Sequence, residues 1–208
     1  MSKEEEIKII LLGECSVGKT SIINCFMNRE FQTHELSTIG VEQTRKKIEV
    51  NINNKKKNCL LKVYDSAGQE RYKSVSSSYI KTTDGILLVY DISNKDTFKN
   101  LYDWMNKIQD NKSDVPMIIV GNKNDLNKAV FETDIKELEE EFKDYTELIF
   151  MESSAKNNYN INNIFEKISE KVIENRNKFG RNRIQSFHLR KKHSKDMEKK
   201  KNCCKNNN

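Results

Sequence analysis

Apolar positions along the 208-residue chain fall into short blocks with two alternating periods. Continuous runs at Lys8–Leu12, Leu60–Tyr64, Gly85–Tyr90, Met117–Val120 and Leu148–Met151 have the length and composition of buried strands. Lys19–Met27, Asp96–Gln109, Glu132–Phe142 and Ile161–Phe179 instead repeat on the helical period. In the second of these Phe98, Leu101, Met105 and Ile108 share one face; in the last, Ile161, Ile164, Phe165, Ile168 and Val172 do. Strands alternating with helices predict a mostly parallel sheet covered on both sides. Arg45–Asn51 breaks the alternation. Its Asn- and Lys-rich link to Lys57–Tyr64 predicts a hairpin, and hence one antiparallel edge strand. The expected architecture is three-layer α/β, with a mostly parallel six-stranded sheet and about five helices.

Apolar periodicity stops near Phe179, where Gly180 can close the last helix. Beyond it Lys, Arg, Asn and Ser dominate. The expected organisation is one domain over 1–179 and a flexible basic tail over 180–208. Charge sharpens this division. The chain carries +6, yet Arg176 to Asn208 holds twelve Lys or Arg against two Asp or Glu, so residues 1–175 sum to −4. A basic nucleic-acid-binding surface is therefore not expected of the folded part. Five cysteines without a C-x-x-C spacing fit a reducing, cytoplasmic setting rather than a disulfide framework. The start, Met-Ser-Lys-Glu-Glu-Glu, is too acidic for a signal peptide, and Ser2 in place of Gly excludes N-myristoylation. No apolar run is long enough for a transmembrane helix.

In open α/β sheets ligands gather where strands end, so the residues after each strand carry the chemistry. After the first come Gly13-Glu14-Cys15-Ser16-Val17-Gly18-Lys19-Thr20, which fit G-x-x-x-x-G-K-[ST]. Between a strand and a helix, such a loop turns successive backbone N–H groups, including those of Ser16, Val17, Gly18 and Ser21, toward a phosphate. Lys19 reaches the outer phosphates, and the Thr20 hydroxyl suits Mg2+. The loop alone specifies a nucleoside triphosphate and no particular base.

Later strand ends narrow the choice. Thr38, in a polar segment before the edge strand, is a candidate second hydroxyl ligand for Mg2+. Asp65 ends the next strand with a carboxylate suited to the same ion. Gly68 permits close approach of an N–H to a phosphate, and Gln69 can orient a water without titrating. The stretch Gly68–Ser78, with Ser74, Ser76, Ser77 and Ser78, reads as a polar loop. After Met117–Val120, Asp125 of Gly121-Asn122-Lys123-Asn124-Asp125 can accept hydrogen bonds from the ring N–H and exocyclic amine of guanine. Adenine lacks that donor pair, and facing it would leave the carboxylate unpaired. After Leu148–Met151, Glu152-Ser153-Ser154-Ala155-Lys156 offers small residues around a backbone N–H that could reach the guanine carbonyl, or a helix N-cap at Ser153 or Ser154. Each later motif alone also reads as an ordinary turn; four in order, each after a strand, point to one site.

Taken together, residues 6–178 resemble a Ras-superfamily small GTPase, and within it most the Rab family. The resemblance implies the P-loop NTPase (small G-protein) fold, with GTP or GDP as the bound nucleotide and Mg2+ as cofactor. It implies that Lys19 binds the β- and γ-phosphates, that Thr20, Thr38 and Asp65 serve the metal, and that Gly68 senses the γ-phosphate. Gln69 would position the attacking water, with Lys19 assisting catalysis. Phe31 and the stem of Lys123 would flank the base, Asn122 and Asp125 would select guanine, and Ser154, Ala155 and Lys156 would complete the pocket. Rab-like stretches are Ile39-Gly40-Val41-Glu42, Arg71-Tyr72-Lys73-Ser74, Ser78-Tyr79 and Leu88-Val89-Tyr90-Asp91-Ile92. Two positions depart from the family. Glu42-Gln43 stands where Rabs usually have Asp-Phe, and Tyr64 where they usually have Trp. An aromatic patch read by partners would here be Gln43, Tyr64 and Tyr79.

The same resemblance implies a slow GTP hydrolase that acts as a molecular switch in vesicle traffic. Its partners would be a guanine-nucleotide exchange factor, a GTPase-activating protein, effectors at the switch loops, a prenylation escort protein and a GDP-dissociation inhibitor. Cys203 and Cys204, preceded by Lys and Arg clusters, are the expected lipidation sites. They would attach the chain reversibly to the cytosolic leaflet of an endomembrane or the plasma membrane. Lys205 to Asn208 follow the pair, more residues than usually follow it in Rabs, and no C-a-a-X box is present. The alternatives are a GTP-locked membrane scaffold, another Ras-superfamily signalling GTPase, and a P-loop kinase or ATPase, the last opposed by Asp125.

Overall fold

A computed structural model of the chain describes residues 5–32, 40–52, 54–66, 73–112, 114–143 and 148–178. Two compact units divide it, Met1–Val172 and Ile173–Asn208. In the second, the described residues 173–178 are helical. The first unit is built on a six-stranded sheet: β1 (Glu5–Leu12), β2 (Val41–Ile52), β3 (Lys55–Ser66), β4 (Gly85–Asp91), β5 (Met117–Asn122) and β6 (Ile149–Glu152). Strand order is β2-β3-β1-β4-β5-β6, parallel except for the edge strand β2. β4 and β5 are buried along their whole length, as continuous apolar runs in a sheet covered on both faces must be. β2 and β3 are longer than their apolar runs because hairpin pairing carries them on, from Val41 opposite Ser66 to Ile52 opposite Lys55. Asn54, at φ 61°, closes the tight turn between them.

The helices are α1 (Lys19–Phe26), α2 (Lys73–Thr82), α3 (Lys95–Lys99), α4 (Leu101–Asn111), α5 (Glu132–Glu141) and α6 (161–178). With α3 and α4 filling one crossover, helices among the described residues occupy five places, as expected. Two details differ from the sequence reading. The predicted helix Asp96–Gln109 is divided at Asn100, and its first piece starts on Asn94, whose Oδ1 accepts from Asp96 N at 3.0 Å. The serine-rich segment expected as a loop enters helix α2. That helix has little apolar pattern and is fixed by tertiary contact: Ile80 is fully buried, and Tyr79 packs on the core.

On one face of the sheet Ile10, Leu12, Ile86, Leu88, Tyr90, Met117 and Ile119 pack with Ile80, Leu101, Trp104, Met105, Ile108 and Leu138 from α2, α4 and α5. On the other, Phe26 of α1 stacks on Phe165 of α6, ring centroids 3.7 Å apart. The sheet order reverses direction at β1, which has β3 on one side and β4 on the other. That switch point opens a crevice at the carboxyl ends of the strands. No helix among the described residues is long and apolar enough to cross a membrane.

Candidate nucleotide site

The loop after β1 curls because its glycines occupy positions no other residue could. Gly13 lies at φ 134°, and a Cβ there would stand 2.1 Å from the Val89 carbonyl oxygen. Gly18 lies at φ 93°, and a Cβ there would stand 2.4 Å from Asn122 Nδ2. Ser16 also takes a left-handed conformation, φ 60°. Gly18 occupies the capping position of α1 without a side-chain cap hydrogen bond, and the first turn has no acidic residue. Lys19, Thr20 and Ser21 therefore open a helix whose amino end favours an anion.

Lys19 is buried, and its Nζ donates to the carbonyl oxygens of Gly13 at 2.9 Å and Glu14 at 2.7 Å. These bonds close the loop around the ammonium. Burial lowers the Lys19 pKa, and the charge of Asp65 opposes that shift. A second tie reaches the loop from outside: Trp104 Nε1 of α4 donates to Glu14 Oε1 at 3.1 Å. Trp104 is the chain's single tryptophan and is buried. Trp104→Phe keeps an aromatic ring, though a smaller one, and removes the donor. A hydrogen bond to a charged acceptor contributes roughly 1.5–3 kcal/mol, less when part-exposed, so nucleotide release should speed up about 3- to 10-fold. Dissociation of a fluorescent nucleotide analogue measures this, and an unchanged rate would show that the loop keeps its shape without Trp104.

Asp65, at the end of β3, meets the same helix. Thr20 Oγ1 donates to Asp65 Oδ2 at 2.6 Å, and neighbouring Ser66 Oγ donates to Leu11 O at 2.6 Å. A hydroxyl and a carboxylate in contact beside the phosphate loop are hard oxygen donors. They fit Mg2+, which takes few protein ligands and completes its shell with phosphate and water.

At the other end of the crevice stands Asn122, the last residue of β5 and only 1% exposed. Its Nδ2 donates to Val17 O at 2.9 Å. Its Oδ1 accepts from Ser153 Oγ and from Ala155 N, each at 3.2 Å. One amide thus joins the phosphate loop to the loops after β5 and β6. Ser153 N to Gly121 O at 2.8 Å and Asn124 N to Ser153 O at 2.9 Å add backbone ties. Beside this hub, Asp125 Oδ1 accepts from Ser154 Oγ at 2.5 Å, and Lys156 Nζ lies 3.8 Å from Asp125 Oδ2. Neither serine opens a helix: Ser153 Oγ holds Asn122, while Ser154 Oγ holds Asp125 and also accepts from Asn157 N at 3.1 Å in the turn that follows.

Lys123 sits at φ 67°, and its Nζ contacts Asp91 Oδ2 at 2.7 Å. Burial raises the Asp91 pKa, but hydrogen bonds from Lys123 and Ser93 outweigh it and hold the carboxyl below its ordinary range. Asp91 is thus an ionised anchor for Lys123. Phe31 is 41% exposed, in the segment after α1. Thr38, Gly68, Gln69, Gly180, Cys203 and Cys204 lie outside the described residues.

The structure therefore brings together the phosphate loop, Asp65, Asn122, Asp125, Ser154, Ala155 and Lys156 at the carboxyl ends of the strands. Glu14, Asp91 and Ser153 lie within stretches that the sequence singled out, but their contacts here were not found from it, and Trp104 was not singled out at all. Asp91 had a usable signal, since it ends β4 as Asp65 ends β3. Trp104 had none, being one apolar position among several on an amphipathic helix.

Comparison with known proteins agrees with this geometry. Residues 8–174 match the family model described as the Ras family. Ras-related protein Rab-11C of Dictyostelium discoideum is 36% identical over 173 residues, covering 81% of this chain and 75% of that protein. Ras-related protein YPTC6 of Chlamydomonas reinhardtii is 33% identical over 210 residues, covering 95% and 94%. Mouse Ras-related protein Rab-12 is 35% identical over 170 residues, covering 81% and 68%. With its phosphate loop, its Thr20–Asp65 pair and its Asn122 hub, the chain belongs to the Ras family of small GTPases, and it is most like the members named Rab.

Proposed function

We propose that the chain is a guanine-nucleotide switch of vesicle traffic, alternating between GTP- and GDP-bound states. The observation that carries this is the Asn122 hub. It ties the phosphate loop to the loop after β6, whose Ser154 in turn bonds Asp125, so one ligand with both a triphosphate and a guanine would span them. Lys19, already desolvated, would exchange loop carbonyls for β- and γ-phosphate oxygens. Ser16, Val17, Gly18 and Ser21 would add backbone N–H groups, while Phe31 and the Lys123 stem would flank the base. Ser154, Ala155 and Lys156 would close the pocket. Thr20, Thr38 and Asp65 would hold Mg2+, which supplies charge neutralisation at the phosphates when bound.

In this reading, Gln69 orients a water for in-line attack on the γ-phosphorus. A new P–O bond forms as the bond to the β–γ bridging oxygen breaks. Positioning and fixed charge supply the rate, and no arginine in the matched motifs stands ready to add to it. Turnover on the order of 10⁻⁴ per second, the scale of Ras without its activator, is the expectation. So slow a hydrolase serves as a timer. Gly68 and Thr38 would report the γ-phosphate to effectors, and an exchange factor and a GTPase-activating protein would set the two rates. The tail 180–208, lipidated at Cys203 and Cys204, would place the domain 1–179 on a cytosolic leaflet. An escort protein would deliver it, and a GDP-dissociation inhibitor would retrieve it.

Phosphate release from GTP in a single turnover tests the chemistry. The unmodified chain should show the slow rate, Gln69→Leu should fall about tenfold or more below it, and excess ATP should not compete. Competition by ATP would overturn the guanine assignment. The trafficking part is tested in cells, where a tagged chain should sit on membranes and become diffuse when Cys203 and Cys204 are both replaced by Ser. Equal distributions would remove the anchor.

A further inference from the structure

The outward face of the hairpin is a polar, cationic surface with a fixed geometry. Along β2, Gln43, Arg45 and Lys47 are exposed, while Thr44, Lys46 and Ile48 alternate to the side of α1. Lys46 marks that side: its Nζ donates to Phe26 O and lies 4.2 Å from the Phe26 ring centroid. On the outward side register sets Gln43 opposite Tyr64 and Arg45 opposite Lys62. The row continues onto β1, where Lys62 neighbours Lys8.

The end of this face nearest the nucleotide is locked. In the orientation that satisfies its neighbours, the Gln43 amide accepts from Arg45 Nε at 2.8 Å and Nη2 at 3.2 Å, and donates to Tyr64 Oη at 3.1 Å. The Tyr64 ring lies 5.4 Å from that of Tyr79 on α2. Further along, Lys62 pairs with Glu6 at 2.7 Å. The Glu6 carboxyl is held below its ordinary range by that hydrogen bond, with Lys8 and Arg45 adding charge. Glu6 is one carboxylate among the cations Lys8, Arg45, Lys47 and Lys62; of the acids on β2, Glu42 beside Gln43 is exposed but alternates to the opposite side, and Glu49 pairs with Lys56.

We propose that this face docks an acidic segment of a protein partner, with a partner carboxylate on Arg45 and polar groups over Gln43 and Tyr64. The proposal rests on the switch reading and names the chemistry of the partner. An apolar anchor here would strip water from an amide, a phenol and a guanidinium while offering them no hydrogen bond in return, which disfavours it. A carboxylate instead meets a guanidinium fork whose orientation Gln43 has already fixed, and less freedom is lost on binding. A lipid surface needs only charge and draws nothing from that alignment. The face also joins the two segments that carry Thr38 and Gly68: β2 begins just after the first and β3 ends just before the second. Docking there would be sensitive to the nucleotide.

Peptides of about 12 random residues displayed on phage test this charge preference. They are panned against the full-length chain loaded with a non-hydrolysable GTP analogue and counted again on Arg45→Glu. Arg45 is exposed and outside the nucleotide site, so nucleotide loading should be unchanged in the variant. Enriched sequences should be rich in Asp and Glu, bind Arg45→Glu about tenfold more weakly, lose a smaller but measurable part of their affinity on Arg45→Lys, which keeps the charge without the aligned fork, and weaken between roughly 50 and 300 mM salt. Aromatic sequences without acids, or equal binding to Arg45→Glu, would overturn the proposal. So would stronger Arg45-dependent binding to vesicles with about one-fifth phosphatidylserine than to any peptide. Nucleotide content is assayed before panning. If the unmodified chain holds none, the switch reading fails, while the charge preference of the face is still read from the same selection.

Discussion

Replacing Asn122 with Ala should cost more than any other single change at the site. Three buried hydrogen bonds meet on its amide, to Val17, Ser153 and Ala155. Alanine leaves the Val17 carbonyl, the Ser153 hydroxyl and the Ala155 N–H without that partner in a water-poor crevice. Each orphaned buried group costs roughly 1–3 kcal/mol, and partial relaxation makes about 3–5 kcal/mol the expected total loss in stability. Denaturant unfolding of the nucleotide-free protein measures it. Nucleotide affinity should fall about 100-fold or more as well, because the phosphate loop and the base loop lose their shared frame. Ser153→Ala removes one of the three bonds and should cost only about 1 kcal/mol. If Asn122→Ala unfolds at the same denaturant concentration as the parent, the hub is not what holds the loops together.

Asp125→Asn should exchange the base rather than abolish binding. The carboxylate accepts from Ser154 Oγ on one oxygen and keeps Lys156 near the other. Toward a guanine it would be an acceptor for two donors, the ring N–H and the amine. Xanthine presents the same ring N–H but a carbonyl in place of the amine, so it needs one acceptor and one donor, which an amide provides. Sites built on such pairing discriminate by roughly 10⁴-fold when one group is mismatched. The variant should therefore lose about 100-fold or more in GTP affinity and gain a comparable factor for xanthosine triphosphate. Competition of both nucleotides against a fluorescent GDP analogue gives the ratio. A variant that still prefers GTP would show that Asp125 does not read the base.

Both predictions turn on contacts that sequence reasoning reached unequally. Asp125 was legible because guanine's donor pair offers an acid there a chemical role, and companion motifs after other strands point to the same site, although alone it reads as an ordinary turn residue. Asn122 was legible as a member of the motif, but not as the joint between loops, since Val17 is 105 positions away in the chain. Helix α2 was hidden for a related reason. Its serines carry no helical period, and among the described side chains Ile80 and Tyr79 meet the core and support that structure. The division at Asn100 was invisible because the apolar stripe runs through it without interruption.

By itself, the sequence determined the alternation of strands and helices, the antiparallel edge, and the residues that follow each strand. These are local facts: short apolar runs must be buried, and glycine spacing decides where the backbone can curl around a phosphate. Only the tertiary structure decided which of those residues meet. Trp104 reaches Glu14, Asp91 anchors Lys123, Ser153 supports Asn122, and Gln43 aligns Arg45 with Tyr64. Such pairings depend on strand order and register, which bring residues far apart in the chain within about 3 Å of each other. A hydrogen bond is decided over that distance, and no local pattern of polar and apolar positions records it.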